Sequence, residues 1–143
     1  SSANYIVRKG DTIYIHELIY KTGLTNSDIA DIIKSMGYGN CLIYYDAAEP
    51  KSGEELKRLG MYVKPAIKGT GSINAGISLL KEFDIIVSQE SKNIINEYNN
   101  YYWEQLKDGT IINKPVDRLN HSMDSIRYGV YSQYSKRGQF FVI

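Results

Sequence analysis

The sequence predicts an α/β fold in which helices cover both faces of a mixed β-sheet. Two short apolar stretches open the chain, separated by Lys9-Gly10-Asp11, a hairpin signal. Beyond them, segments of helical period alternate with strand-like runs, the order that packs helices against a mixed sheet. At 143 residues, 43% hydrophobic and 23% charged, the chain suits one domain with a substantial core and is globular in composition. No internal repeat or linker divides residues 1–143, and residues 135–143 read as a C-terminal tail.

Asn4–Arg8 reads as the first strand and Thr12–Tyr20 as its return, with Ile13, Ile15, Glu17 and Ile19 on one face. Thr25 is the expected N-cap of the first helix, and Asp28 three residues later completes a variant capping box. Ile29, Ile32, Ile33 and Met36 form that helix's apolar stripe, and Gly37 ends it. Cys41–Tyr45 is almost continuously apolar, the pattern of a strand buried on both faces, and Asp46 closes it. A helix is expected from Glu49-Pro50 through Leu59, then a strand over Tyr62–Ala66. Lys68-Gly69-Thr70-Gly71-Ser72 forms a loop into a helix from about Ile73 to Lys81. Asp84–Ser88 is the next strand and Ser91–Asn99 the next helix. Tyr101–Leu106 and Thr110–Ile112 flank Lys107-Asp108-Gly109, a second hairpin signal. Pro115–Leu119 is a loop, and the closing helix runs from Asn120 to about Tyr134. The terminal Gln139-Phe140-Phe141-Val142-Ile143 is apolar enough to need a covering surface.

Seventeen basic and sixteen acidic residues leave a net charge of +1, which argues against an extended basic surface but permits a local nucleic-acid groove. No apolar run approaches the roughly 20 residues of a membrane span. No signal-peptide pattern opens the chain. Cys41 is the only cysteine, so a reducing compartment fits, and its place in an apolar strand predicts a buried structural thiol. Most of the thirteen tyrosines are expected at core edges.

Chemistry concentrates at two places. In a helical Asn120–Tyr128, His121, Asp124 and Arg127 or Tyr128 share one face, while Met123, Ile126 and Val130 anchor another to a core. Asp46 stands at the carboxyl end of a strand, where α/β sheets gather their ligands. Each residue also has a plainer reading. Asp46 suits a turn or helix cap, and Asp124 suits an ion pair with Arg127. Lys68–Ser72 lacks the spacing of a nucleotide-binding P-loop; it offers backbone N–H groups and a lysine to a phosphate, or it is an ordinary connection. Tyr98, Tyr101, Tyr102 and Trp103 read as core packing rather than base stacking, and His16 as structural.

Several separate motifs occur in order: Gly23-Leu24-Thr25-Asn26; Asp46-Ala47-Ala48-Glu49-Pro50-Lys51-Ser52 with Glu55-Leu56; Lys68–Ile73 with Gly76-Ile77; Ser91–Trp103; and Pro115-Val116-Asp117 leading into Asn120–Tyr128. Together they resemble the C-terminal nuclease domain of a tailed-phage terminase large subunit, over essentially the whole chain. The resemblance implies an RNase H-like fold and a metal-dependent endonuclease that cuts concatemeric double-stranded DNA during genome packaging. It makes Asp46 the second acidic metal ligand, Asp124 the last, and His121 an accessory histidine. Mg²⁺ or Mn²⁺ is the expected cofactor, with two metals in the complete domain; oxygen donors suit such hard cations. Lys68, Gly69, Lys51 and Arg127 are the expected DNA contacts. The implied partners are an upstream ATPase domain of the same polypeptide, the portal and the small terminase subunit, in the cytoplasm of the bacterial host and away from any membrane.

One departure stands out. The family's first catalytic aspartate precedes a segment like Asn4–Arg8, and no acidic residue here precedes Asp11. The expectation is therefore a chain lacking the first strand, with weak metal binding and impaired cleavage on its own. Two other readings remain: another RNase H-like nuclease, such as a resolvase or transposase core, and a non-catalytic DNA-binding or docking module.

Overall fold

β1 (Ser2–Lys9) and β2 (Thr12–Tyr20) form an antiparallel hairpin in a computed structural model describing residues 1–69, 71–107 and 121–135, with 100–107 described by backbone alone. Their register runs evenly from Lys9↔Thr12 to Asn4↔Glu17 and then jumps to Ala3↔Ile19. Leu18 is thus an extra residue, a bulge that inverts the alternation of Ile19 and Tyr20. Ile13 and Ile15 face one core, whereas Ile19 joins the opposite one. Tyr20, by the same shift, turns toward the helices that close the chain.

α1 (Asn26–Ser35) begins as expected: the Thr25 hydroxyl accepts from the Asp28 amide at 3.0 Å and the Asp28 carboxylate from the Thr25 amide at 3.0 Å. β3 (Leu42–Tyr45), α2 (Pro50–Arg58) and β4 (Tyr62–Pro65) then form a crossover unit whose strands pair in parallel. α3 (Ser72–Lys81) leads to β5 (Asp84–Val87), which lies parallel to β2. α4 (Lys92–Lys107) and α5 (His121–Tyr134) complete the described elements.

Among the described residues the strands form a mixed sheet, β1-β2-β5, and a separate parallel pair, β3-β4. One core joins Ile13 and Ile15 to Ile94, Ile126 and Val130; the other joins Ile19 to Ala30, Ile33, Leu56 and Met61. α5 touches both β1 and β3 and so spans the space between the two sets of strands. Glu17, the polar exception on the apolar face of β2, caps α4: its carboxylate accepts from the Ile94 amide at 3.0 Å and the Asn93 side chain at 2.8 Å. His16 is structural, 2.6 Å from the Ser88 hydroxyl.

Three expectations change. β3 is half-buried rather than covered on both faces, and among the described residues it pairs with β4 alone. Cys41 precedes β3 and is exposed, so it is not a core thiol. Tyr101–Leu106 is not a strand, because α4 runs unbroken to Lys107. Once a helix is nucleated, each further residue adds a hydrogen bond, and that gain outweighs the β-preference of adjacent aromatics. Thr110–Ile112, Pro115–Leu119 and the 139–143 tail lie outside the described residues. No helix among the described residues is long and apolar enough to cross a membrane.

Candidate metal and DNA site

Asp46 comes directly after β3. Its carboxylate accepts from the Ala48 amide at 3.0 Å, and its carbonyl accepts from the Glu49 amide at 2.9 Å, so it forms the turn into α2. Pro50 opens that helix at a position where a missing N–H costs nothing. Gly53 lets α2 lie against β3: a Cβ there would stand 2.2 Å from Cζ of Tyr45, the residue before Asp46. The plainer reading of Asp46 as a turn residue is therefore correct as local geometry, and it leaves the side chain 44% exposed.

Asp124 comes from the first turn of α5, which Ile126 and Val130 anchor to the core. Arg127, expected on DNA, is only 4% exposed, and its Nη1 pairs with Asp124 Oδ1 at 3.2 Å. Space for it comes from Gly76 on α3, where a Cβ would stand 2.7 Å from Arg127 Cγ. The Gly76-Ile77 motif thus acts through the partner helix. Asp124 Oδ1 is buried and, beyond the ion pair, has no hydrogen bond in good geometry among the described residues.

Lys68 connects Asp46 to the ring of Tyr128. Its ammonium forms an ion pair with Asp46 Oδ1 and lies 4.5 Å from the centroid of the Tyr128 ring, beside which Arg127 stands at 4.8 Å. The order is Asp46, Lys68, Tyr128, Arg127, Asp124. Asp46, Asp124, His121 and Tyr128 all line one cleft of about 1170 Å³ bounded by β1, β3 and α5. His121 opens α5, exposed, with its ring edge-on to Tyr20 at 6.4 Å. Lys51 is exposed in the first turn of α2, and Gly69 donates its amide to Ser72 Oγ at 3.2 Å.

The carboxylates are pushed apart electrostatically. Burial raises Asp46, but the Lys68 hydrogen bond, the Ala48 amide and the Lys68 charge outweigh it and hold its pKa below the ordinary value. Burial also opposes a charged Lys68, yet its bond to Asp46 keeps it firmly protonated. Asp124 lies above the ordinary value, raised first by burial; Arg127 opposes this and Glu97 adds to it. The two carboxylates thus lie on opposite sides of the ordinary value.

The donors suit a hard divalent ion: carboxylate oxygens, one imidazole, and an ammonium resting on Asp46 where a positive charge is favoured. No group of three or more His, Cys, Asp or Glu among the described residues is placed to hold a metal. Sequence reasoning missed Tyr128 as the ring between two cations, and it missed Glu97. The available signal was Glu97 three residues after Ile94, a carboxylate on an apolar helical stripe.

Residues 2–132 match the family described as the Terminase RNAseH like domain. The chain belongs to that family. This terminase RNase H-like domain is 31% identical over 140 residues to the large terminase subunit of Bacillus phage SPP1, covering 94% of this chain and 33% of that protein. It therefore spans about a third of the length of that curated relative. Its fold is similar to the crystal structure of the large-terminase nuclease domain of bacteriophage SPP1 with bound Mn, at a TM-score of 0.76 and 26% identity, covering 92% of this chain and 77% of that one. The α/β expectation of an RNase H-like architecture holds.

Proposed function

We propose that this terminase RNase H-like domain is the metal-dependent endonuclease of a phage DNA-packaging motor, cutting concatemeric double-stranded DNA. The observation that carries the reading is that Asp46 and Asp124, 78 positions apart in sequence, line the same cleft, with Lys68 paired to Asp46. The SPP1 nuclease domain, solved with bound Mn, supports the cofactor class. Asp46, Asp124 and, as an accessory donor, His121 are the residues proposed to hold Mg²⁺ or Mn²⁺, with a two-metal site in the complete domain. Such ions supply acidification of an attacking water and neutralisation of charge on the leaving 3′ oxygen.

The chain's own residues prepare this step. Lys68, the Gly69 amide and exposed Lys51 would contact a backbone phosphate, the first two giving up their present partners Asp46 and Ser72. Arg127, buried beneath them, keeps Asp124 oriented rather than touching DNA. The partners come from the same reading: double-stranded DNA, an ATPase domain upstream in the polypeptide, the portal and the small terminase subunit, in the host cytoplasm.

A further carboxylate belongs to this reading. β1 pairs only with β2 and β3 only with β4 among the described residues, and their free edges both line the cleft. A strand set between them, antiparallel or parallel as each edge requires, is proposed to bring the first catalytic aspartate. The 143-residue chain alone is then impaired in metal binding and cleavage. That no such group of donors is placed among the described residues also favours a second reading for the isolated chain, a DNA-binding module without chemistry.

Plasmid nicking in Mn²⁺ separates these. An upstream-extended polypeptide is expected to nick, the present chain to nick far more slowly, and Asp46→Ala or Asp124→Ala to abolish nicking in the extended form. Equal rates for both lengths sink the strand proposal. Nicking unaffected by both substitutions sinks the site. Salt-sensitive DNA binding with no nicking in either length supports the module.

A further inference from the structure

We propose that Glu97 on α4 is the positioning residue for the first turn of α5, and through it for Asp124 and His121; the inference rests on the proposed metal site. Glu97 is 0% exposed, so it acts on the site through the helix and not by touching DNA. Its Oε1 accepts from the Met123 amide at 2.9 Å. Met123 is the third residue of α5, where backbone N–H groups have no intrahelical acceptor and where negative charge is favoured. A side chain from a different helix therefore caps the turn that carries His121 and Asp124.

Tyr20 stands against the other end of the same carboxylate, its pKa pushed up to about 12 by burial first and then by Glu97. The Leu18 bulge in β2 is what turns Tyr20 to this side, and its ring meets His121 edge-on at 67°. From β1, the Ser2 hydroxyl reaches the Ser122 hydroxyl at 2.9 Å, and the Asn4 amide reaches Ser125 at 3.4 Å. Both sides of the turn are thus pinned, by Glu97 from α4 and by serine contacts from β1.

Stability alone does not account for this arrangement. Glu97 is fully buried, a placement that costs a carboxylate more than it would an apolar side chain even with the Met123 amide and Tyr20 against it. What the side chain adds over an apolar one is an acceptor at the right reach: two methylenes place it at the Met123 amide. Outer residues that orient metal ligands affect affinity even without contacting the ion.

Paired substitutions in the upstream-extended polypeptide separate reach from charge. Glu97→Gln keeps an acceptor at the same distance and loses the charge; Glu97→Asp keeps the charge and loses the reach. Mn²⁺ affinity is read by electron paramagnetic resonance, hydrogen exchange over residues 121–127 reports the turn, and thermal melting reports the fold. Glu97→Gln is expected to bind Mn²⁺ like the parent. Glu97→Asp is expected to bind about 10-fold more weakly and to exchange faster over 121–127 while still melting cooperatively. Parent-like exchange and affinity in Glu97→Asp overturn the inference, as does a larger loss in Glu97→Gln than in Glu97→Asp. Asp124→Ala is the control: if it leaves Mn²⁺ affinity unchanged, the metal-site reading fails, whereas loss in Asp124→Ala with parent-like Glu97→Asp overturns only the role of Glu97.

Discussion

Lys68 and Arg127 treat their acids differently, and the difference is measurable by titration. Lys68 holds Asp46 below the ordinary carboxylate range, so its contribution to stability is present above the unfolded-state pKa and fades as pH falls through the folded value. In a carbon-detected NMR titration, Lys68→Met is expected to return the Asp46 midpoint upward, and an unchanged midpoint contradicts the ion pair. Asp124 has the opposite sign. Its folded pKa is raised, so its ionised form costs stability above that pKa, and the cost disappears as pH falls below the unfolded value. Asp124→Asn, which copies the neutral form and still offers Arg127 an oxygen, is therefore expected to melt higher than the parent near neutral pH and equally at acid pH. A lower melting temperature at neutral pH counts against this. Lost Mn²⁺ affinity should accompany the gain, the usual exchange between stability and a charged site.

At the scale of elements, close approach explains more than propensity. Gly53 admits the Tyr45 ring beneath α2, and Gly53→Ala places a Cβ 2.2 Å from Tyr45 Cζ. The neighbour is a packed aromatic ring, so the strand or helix must shift, at about 1–3 kcal/mol in urea unfolding, with the turn at Asp46 disturbed. Thr25→Ala, by contrast, removes one half of a reciprocal cap and costs about 1 kcal/mol with no effect on the cleft. That cap was legible because both partners lie within one helical turn of each other. The β1–β2 hairpin was legible for the same reason, its signal being local. The extent of α4 was not, since Tyr101–Leu106 carries aromatic β-formers beside an Asp-Gly signal, and a helix already running to Lys107 outweighs them. Glu97 escaped notice because its partner amide, Met123, is 26 residues away and no local pattern records such a contact.

Across the whole molecule, the split between β1-β2-β5 and β3-β4 decides how the chain behaves alone. Two strand edges that are unpaired among the described residues and line one cleft are a template for pairing. The present chain is expected to self-associate with rising concentration in light scattering, and the upstream-extended form to remain monomeric. A clean monomer of the short chain over that range removes the reason to place a strand there. The resemblance of the motifs assigned Asp46, Asp124 and His121 to one site; all three line one broad cleft, and their role there is the proposal. The motifs did not place Lys68 on Asp46, a contact between distant loops, or Arg127 below the surface, which depends on how α3 and α5 pack through Gly76.

All of this depends on Asp46 and Asp124 gripping the same cation. Crystals of the upstream-extended polypeptide, soaked in Mn²⁺ and measured at the manganese edge, decide whether they do. The expected result is an anomalous peak in the cleft about 2 Å from a carboxylate oxygen of each residue, with Lys68 withdrawn from Asp46. Manganese bound to one of them alone, or an empty cleft with Lys68 still in place, would contradict it.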